Sequence, residues 1–459
     1  MIKDTSPWLF QLNRSRAAAV LADDAKTDIA IIGAGIAGVT TAYFVLKYTS
    51  FKVILIEAGK VAHGATGHNA GQIASYFERP FADIAAEFGL AMAADGQKSI
   101  DSAWQLIEEI YTDAGLETPY QQFTGYAGCG SREQVMAHLK DIALQRQGGI
   151  VSENILIAEE ALQSLAIPKE FSECYSIVHH EDILSLLQTK ESHYIAALAK
   201  RKGCMNSAMF TEELVGYLLA TFSDRFTLAE YAPVEYVLLR EKNALIAIEE
   251  KKNVIADRVV LCTNGFEKLA IVNTVGPDID TKFHHMVRGS VGYMAGYLDK
   301  YNQPPTAISY LPDHIDTPGN ALEADPYYYL TRRPFEDELK RPHNLVCIGG
   351  PESLMDDTNE YHLGHPYPEE AQEEMDVFLR KTYAPAPEKI NYRFRWHGLM
   401  GFTPNSLRCV GPEMNNPVLL YNIGCNGVGI LSSMYGARRI ARVLAKEKVN
   451  PSIFDPIRE

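Results

Sequence analysis

The clearest pattern in the chain lies near its start. A short apolar, branched run from Asp28 to Ile32 gives way at Gly33 to helical spacing through Ala42, Val45 and Leu46, and a second apolar strand follows at Val53 to Ile56. Ile100, Trp104, Ile107 and Tyr111 fall at helix spacing, as do Val135, Leu139 and Ile142, and both sets predict packing faces. From Leu228 to Val260 short β-rich runs alternate with charged turns, and the strand Arg258 to Leu261 ends at the break Thr263, Asn264, Gly265. Residues 300 to 390 are rich in proline, tyrosine and charge and hold the strand-like runs Tyr327 to Leu330 and Leu345 to Ile348, which predicts a substrate-facing region. The tail returns to glycine punctuation at Gly398, Gly401, Gly411, Gly424, Gly427 and Gly429 before a last helix through about Lys446.

The turn at Gly33 carries chemistry. In Ile31-Ile32-Gly33-Ala34-Gly35-Ile36-Ala37-Gly38, Gly33 permits the tight turn, Gly35 lets backbone approach a pyrophosphate and Gly38 lets helix and strand pack closely. The helix N-terminus then faces the phosphates, where unpaired N–H groups favour an anion. Glu57 ends the second strand 19 residues after Gly38, in place to accept a ribose 2′-hydroxyl. The other reading, a glycine-rich turn with a solvated Glu57, lacks a reason for strand, helix and acid to coincide. A nicotinamide enzyme would continue into a third strand and helix. Here Glu57 is followed by Gly59, Gly64, Ala65, Thr66, Gly67, His68, Asn69, Ala70, Gly71 and Gln72, a loop of small and polar residues.

That loop resembles the Gly-Ala-Ser/Thr-Gly-x-Asn-x-Gly loop of the D-amino-acid-oxidase family of flavoenzymes. The resemblance continues at Arg288-Gly289, from Tyr327 to Gly350, at Trp396, Gly398, Thr403, Pro404 and Gly411, and from Gly424 to Gly429. Within the family it is greatest to amine oxidoreductases of the gamma-glutamylputrescine and sarcosine or dimethylglycine type, which share a long N-terminal arm and the Trp-x-Gly-x-x-x-x-Thr block. The resemblance implies FAD as cofactor and an α/β fold: a Rossmann-type, glutathione-reductase-like FAD-binding domain interleaved with an α+β substrate domain on a mixed or antiparallel sheet. The expected boundaries are an arm at 1–26, FAD-binding segments at 27–95, 201–268 and 391–459, and substrate segments at 96–200 and 269–390.

By the same resemblance, cofactor contacts fall to Gly33, Gly35, Ile36, Ala37 and Gly38; to Glu57, Ala58 and Gly59; and to Ala65, Thr66, Gly67, His68, Asn69, Ala70, Gly71 and Gln72. They continue at Val234, at Thr263, Asn264 and Gly265, at Trp396 and Gly398, and at Gly424, Asn426, Gly427, Val428, Gly429 and Ile430. Tyr329, Arg332, Met400 and His68 are the expected catalytic or substrate-facing residues. His68 stands where dimethylglycine dehydrogenases attach their flavin, while relatives with arginine there bind it without a covalent bond; non-covalent FAD is the expectation and a His68 link the alternative. Met400 occupies the place of the flavin-linking cysteine of monomeric sarcosine oxidases, and Cys347 the place of their lysine, a hint against a fast oxidase. Asn405, Arg408 and Val428 depart from the usual Asp, Pro and His, so the local flavin contacts there are open.

Amino-acid oxidases of the family clamp the substrate carboxylate with an arginine that Leu399, Met400 and Gly401 do not supply. Tyr329, Arg332 and Arg333 lie on the block that faces substrate in relatives, although either arginine could equally be a solvated charge. On a strand, Tyr327 and Tyr329 share one side. The expected reaction is oxidation of a C–N bond by hydride transfer to the flavin N5, on a primary or secondary amine, a polyamine or an N-methylated amino acid. The alternatives are a dehydrogenase of 2-hydroxy acids or a flavin-binding protein without catalysis. Oxygen or another acceptor would reoxidise the flavin.

Composition narrows the rest. The chain has 459 residues, 46% apolar and 22% charged, an ordinary globular balance. A net charge of −15 argues against nucleic acid as a partner. No run approaches the ~18 to 20 apolar residues of a bilayer span, and Met1 to Arg16 lacks a basic region followed by an apolar core, so a cytoplasmic location is expected. Seven cysteines, Cys129, Cys174, Cys204, Cys262, Cys347, Cys409 and Cys425, are scattered without ligand spacing and predict reduced thiols. His179-His180 and His284-His285 point apart on any regular element, and no metal is expected.

Overall fold

A computed structural model describes residues 3–249, 252–265, 269–300, 302–312, 327–355 and 361–456. Two sheets organise them. In the first, the strands Lys252–Leu261, Ala25–Ile32, Val53–Ile56 and Phe226–Ala229 lie side by side and parallel, and Leu419–Ile423 joins Lys252–Leu261 in the same sense. Val234–Leu239 and Ala244–Ile248 extend it as an antiparallel meander. The parallel strands read as unbroken apolar runs because both faces are covered. Val53–Ile56 is buried at all four positions, and the helix Ile36–Tyr48 is buried from Ile36 through Leu46, packed against the closing helix Ile430–Leu444.

The second sheet runs from the arm strand Lys3–Asp4 through Tyr392–Phe402, Arg288–Lys300, Pro342–Leu354, Tyr328–Glu336, Thr306–Tyr310, Tyr120–Cys129 and Ala196–Met205 to a short parallel edge. Its central pairs are antiparallel, whereas Thr306–Tyr310 meets Tyr120–Cys129 in parallel, so the sheet is mixed. The expected α/β fold with a mixed sheet is therefore what the chain forms. The helix Leu90–Ala114 buries Ile100, Trp104 and Ile107 as its spacing predicts. Arg132–Gln147 buries Val135, Leu139 and Ile142 and starts on a capping box of Ser131 and Gln134.

The arm is tied down. Ser6 caps the helix Pro7–Gln11 and donates to the carbonyl of Gly67, and Trp8, fully buried, donates from Nε1 to the carbonyl of Asn69 at 2.6 Å. Arg333 lies 4.7 Å over the Trp8 ring. All seven cysteines are free thiols. Among the described residues no helix is long and apolar enough to cross a membrane.

Candidate active site

The first sheet's carboxyl edge builds one end of a cavity of about 1110 Å³. Gly33 has φ of +101°, and a Cβ there would sit 2.8 Å from the carbonyl oxygen of Cys262. A Cβ on Gly38 would sit 1.8 Å from the Gly33 carbonyl oxygen, so turn and helix can meet only with glycine present. Thr66 accepts from the Ile36 N–H at 2.9 Å, closing the turn against the small-residue loop. Glu57 lines the cavity and accepts from the N–H groups of Ala34 and Gly59, both at 2.8 Å; burial raises its pKa against those hydrogen bonds. Each oxygen keeps a lone pair for a ribose hydroxyl. The Thr263 hydroxyl lines the same cavity, buried without a protein partner.

The loop after Glu57 forms the middle wall. Asn69 donates to the carbonyl of Thr66 and the hydroxyl of Ser207 and accepts from the Gly71 N–H, so its side chain holds the loop's shape. Gly71 has φ of +69°, and a Cβ there would strike Trp8 at 2.5 Å, which is why the arm and this loop fit together. His68 faces the cavity with Nδ1 2.9 Å from the carbonyl of Gly64. Burial lowers its pKa to about 4, so at neutral pH the ring is uncharged, donating from Nδ1 and leaving Nε2 as an acceptor. Opposite it, Gly427, Val428, Gly429 and Ile430 line the cavity at the N-terminus of the closing helix, whose N–H groups and dipole favour negative charge. Arg408 lies beside that terminus, donating to the side chain and carbonyl of Asn422, with no carboxylate partner among its hydrogen bonds and its pKa lowered by burial to about 10.

The far end is a chamber made by side chains. Tyr76, Glu78, Tyr327, Tyr329, Glu352 and Met400 face it. The Tyr327 hydroxyl lies 3.0 and 3.2 Å from the two oxygens of Glu78 and donates to that carboxylate. Burial pushes Glu78 up to about 7, against the pull of Tyr327 and of the Lys202 ammonium. Lys202, 1% exposed, lies behind this wall within 3.2 Å of Gln72 Oε1 and 3.4 Å of Ser309 Oγ, and burial brings it down to about 8. Glu352 accepts from Ser290 at 2.9 Å; it is open to the chamber, while the surrounding protein raises its pKa. Arg79 also lines the cavity, paired with Glu87 at 2.6 Å and donating to the carbonyls of Asn405 and Asp83.

Most expected site residues converge here. Gly33, Gly35, Ile36, Ala37, Glu57, Ala65, Thr66, His68, Asn69, Ala70, Gln72, Thr263, Asn264, Gly398, Gly427 to Ile430, Tyr329 and Met400 line this one cavity together, and Tyr327 does share the face of Tyr329. Others shape it from behind: Trp396 donates to the carbonyl of Asn69 at 3.3 Å, and Asn426 accepts from the Thr403 N–H at 2.8 Å. Gly38, Ala58, Gly59, Gly67, Gly71, Gly265 and Gly424 are likewise absent from the lining.

Four expected residues lie elsewhere. Arg332 is buried on the opposite face of its strand, donating to Gln188 at 2.8 Å, the Tyr383 hydroxyl at 2.7 Å and the carbonyl of Pro304 at 3.1 Å. It stands three positions after Tyr329, and strand alternation turns it away from the chamber. Arg333 shares the face of Tyr329 but is held by Trp8 and the carbonyl of Met205. Val234 packs at the margin of the first sheet's core and does not line the cavity. Cys347 is fully buried, outside the cavity lining, with its thiol pushed up to about 12. Sequence reasoning missed Tyr76, Glu78, Lys202 and Glu352. Tyr76 and Glu78 follow closely on the flavin-type loop, a weak signal; Lys202 and Glu352 have none.

A strand-turn-helix cradle, an acidic residue at the next strand end and a continuous cavity leading to a polar chamber define a dinucleotide-dependent oxidoreductase. A family model described as FAD dependent oxidoreductase (DAO) matches residues 28–443, and the chain belongs to that family. FAD is its cofactor, and the cradle, the orphaned Thr263 hydroxyl and the helix terminus at Gly427 to Ile430 fit that group. The fold is similar to glycine oxidase from Geobacillus kaustophilus, with TM-score 0.66 and 14% identity over 95% of this chain and 99% of that one. L-Proline dehydrogenase from P. horikoshii matches with TM-score 0.66 and 16% identity over 94% and 97%. L-α-Glycerophosphate oxidase from Mycoplasma pneumoniae, solved with FAD bound, matches with TM-score 0.62 and 13% identity over 92% and 95%. At these identities the likeness is one of fold. A curated relative, the putative Rieske 2Fe-2S iron-sulfur protein YhfW of Bacillus subtilis (strain 168), is 34% identical over 97 residues, 20% of this chain and 19% of that protein. The chain thus spans about a fifth of that relative's length.

Proposed function

We propose that this enzyme oxidises a C–N bond in a small amine. The observation that carries the reading is the chamber: Glu78 and Glu352 face it beside three tyrosines, and the arginines lining the cavity among the described residues, Arg79 and Arg408, are already tied to protein partners. A carboxylate substrate would find no free fork there and would meet two like charges. An ammonium would find carboxylate and aromatic faces.

When bound, FAD supplies the hydride acceptor. The nitrogen of the substrate must give up its proton before a hydride can leave the neighbouring carbon. Glu78, held near neutral pKa by the opposition of burial against Tyr327 and Lys202, accepts that proton. Tyr327 and Tyr329 hold the amine against the cofactor end, and Met400 closes the wall beside them. The closing helix contributes only ~0.3 to 2 kcal/mol through its dipole, so most of the acceleration comes from positioning. His68, with its donor spent on Gly64, supports FAD held without a covalent bond. Anaerobic mixing of the FAD-loaded enzyme with amines, 2-hydroxy acids and free D-amino acids tests the reading. Amines should bleach the flavin; bleaching by D-amino acids or hydroxy acids and by no amine would sink it.

A further inference from the structure

The charges of the chamber do not balance around a single amine. Glu78 and Glu352 both face the same space, and each raises the other's cost of ionisation: Glu352 pushes Glu78 upward, and both push Tyr329 upward. Lys202 stands behind the Glu78 side, on Gln72 and Ser309, and is not itself part of the lining. It offsets one carboxylate. Glu352 accepts from Ser290 and has no cation within ion-pair distance among the described residues.

The two acids also occupy different walls. Glu78 packs against the terminus of the closing helix: a Cβ on Gly427 would sit 3.1 Å from its Cγ. Glu352 sits on the second sheet, opposite Gly292 in register, with the strand Arg288–Lys300 between it and the strand that carries Met400. Gly292 keeps the floor between them open, since a Cβ there would approach Met400 Cε at 3.1 Å and the Tyr329 hydroxyl at 3.9 Å. Glu352 is open to the chamber and has no protein cation beside it among the described residues, so a ligand cation reaching it would find an unshared carboxylate.

We infer that the chamber recognises an amine bearing a second cationic nitrogen, with Glu78 beside the nitrogen that is oxidised and Glu352 holding the distal ammonium. This rests on the amine reading above and narrows it: diamines and polyamines fit, whereas the carboxylate of an N-methylated amino acid would be turned toward Glu352.

Binding can be separated from turnover with quaternary ions, which have no nitrogen lone pair to support oxidation. Calorimetric titration of the FAD-loaded enzyme with a bis(trimethylammonium)alkane and with tetramethylammonium should show the double cation binding about threefold tighter or more, the worth of one charge pair open to solvent. Glu352→Gln should remove that advantage and leave tetramethylammonium within about twofold, with an unchanged thermal melt, and Glu352→Asp should keep part of it. Equal affinity of the two ions, or equal loss of both in Glu352→Gln, would overturn the inference. Flavin bleaching distinguishes the two levels. Monoamines that work as well as α,ω-diamines overturn the second cation while amine oxidation stands; failure of every amine overturns both.

Discussion

The two ends of the cavity are made of different material. The dinucleotide end is backbone: a glycine turn, a helix terminus and one carboxylate, all within the segment from Gly33 to Gln72. The chamber end is side chains, Tyr76, Glu78, Tyr327, Tyr329, Glu352 and Met400 with Lys202 behind them, and the second sheet brings together the strands that carry Tyr329, Glu352, Met400 and Lys202. A backbone-made site tolerates almost no added volume and specifies little about its ligand beyond phosphate and ribose. A site made of side chains tolerates substitution of the fold's unused faces and specifies charge. On the proposed reading, the enzyme's selectivity resides at the side-chain end.

The largest break in that contrast is expected at Gly38→Val. A Cβ 1.8 Å from the Gly33 carbonyl forces helix and turn apart, so the protein should purify without yellow colour and melt many degrees lower, read by the absorbance ratio at the flavin band and by thermal denaturation. Glu78→Gln should leave colour and melt intact and cost about 10² to 10⁴ in the rate of flavin reduction, the usual range for a lost general base. Its pH dependence has a definite sign. With Glu78 at about 7, reduction should be slow below that pH, where the carboxyl is protonated, and rise through it as the proton is lost. The groups facing it are Tyr327, Tyr76, Lys202 and Glu352, and in Glu78→Gln the step near 7 should vanish.

How much was legible follows the same divide. The cradle could be read because its glycines, helix and acid lie within one local segment, and each has a mechanical reason at its spacing. Arg332 was misplaced because a resemblance locates a strand without fixing which side a given residue faces; the count from Tyr329 settles it. Glu352 was invisible because its meaning comes from its register opposite Gly292, more than fifty positions earlier in the chain. Lys202 lies on the strand Ala196–Met205, and its role appears only when Gln72 and Ser309 close around it.

Smaller effects sharpen the picture at the backbone end. Glu57→Ala should weaken FAD affinity by about ten- to a hundredfold, the worth of a carboxylate accepting ribose hydroxyls, while any flavin that remains bound is reduced at close to the parent rate. The smallest effect is expected at His68. Acid precipitation of the holoenzyme should leave all colour in the supernatant, and His68→Gln should keep its flavin within a few-fold of the parent affinity; colour in the pellet would show a covalent link instead.

The central claim, that the side-chain end selects a basic nitrogen, is tested most directly by anaerobic stopped-flow reduction of the FAD-loaded enzyme with matched substrates: an amine, the alcohol of the same carbon skeleton and the amino acid that adds a carboxylate to it. The account predicts rapid bleaching by the amine alone. Bleaching by the alcohol or the amino acid at an equal or greater rate would contradict it.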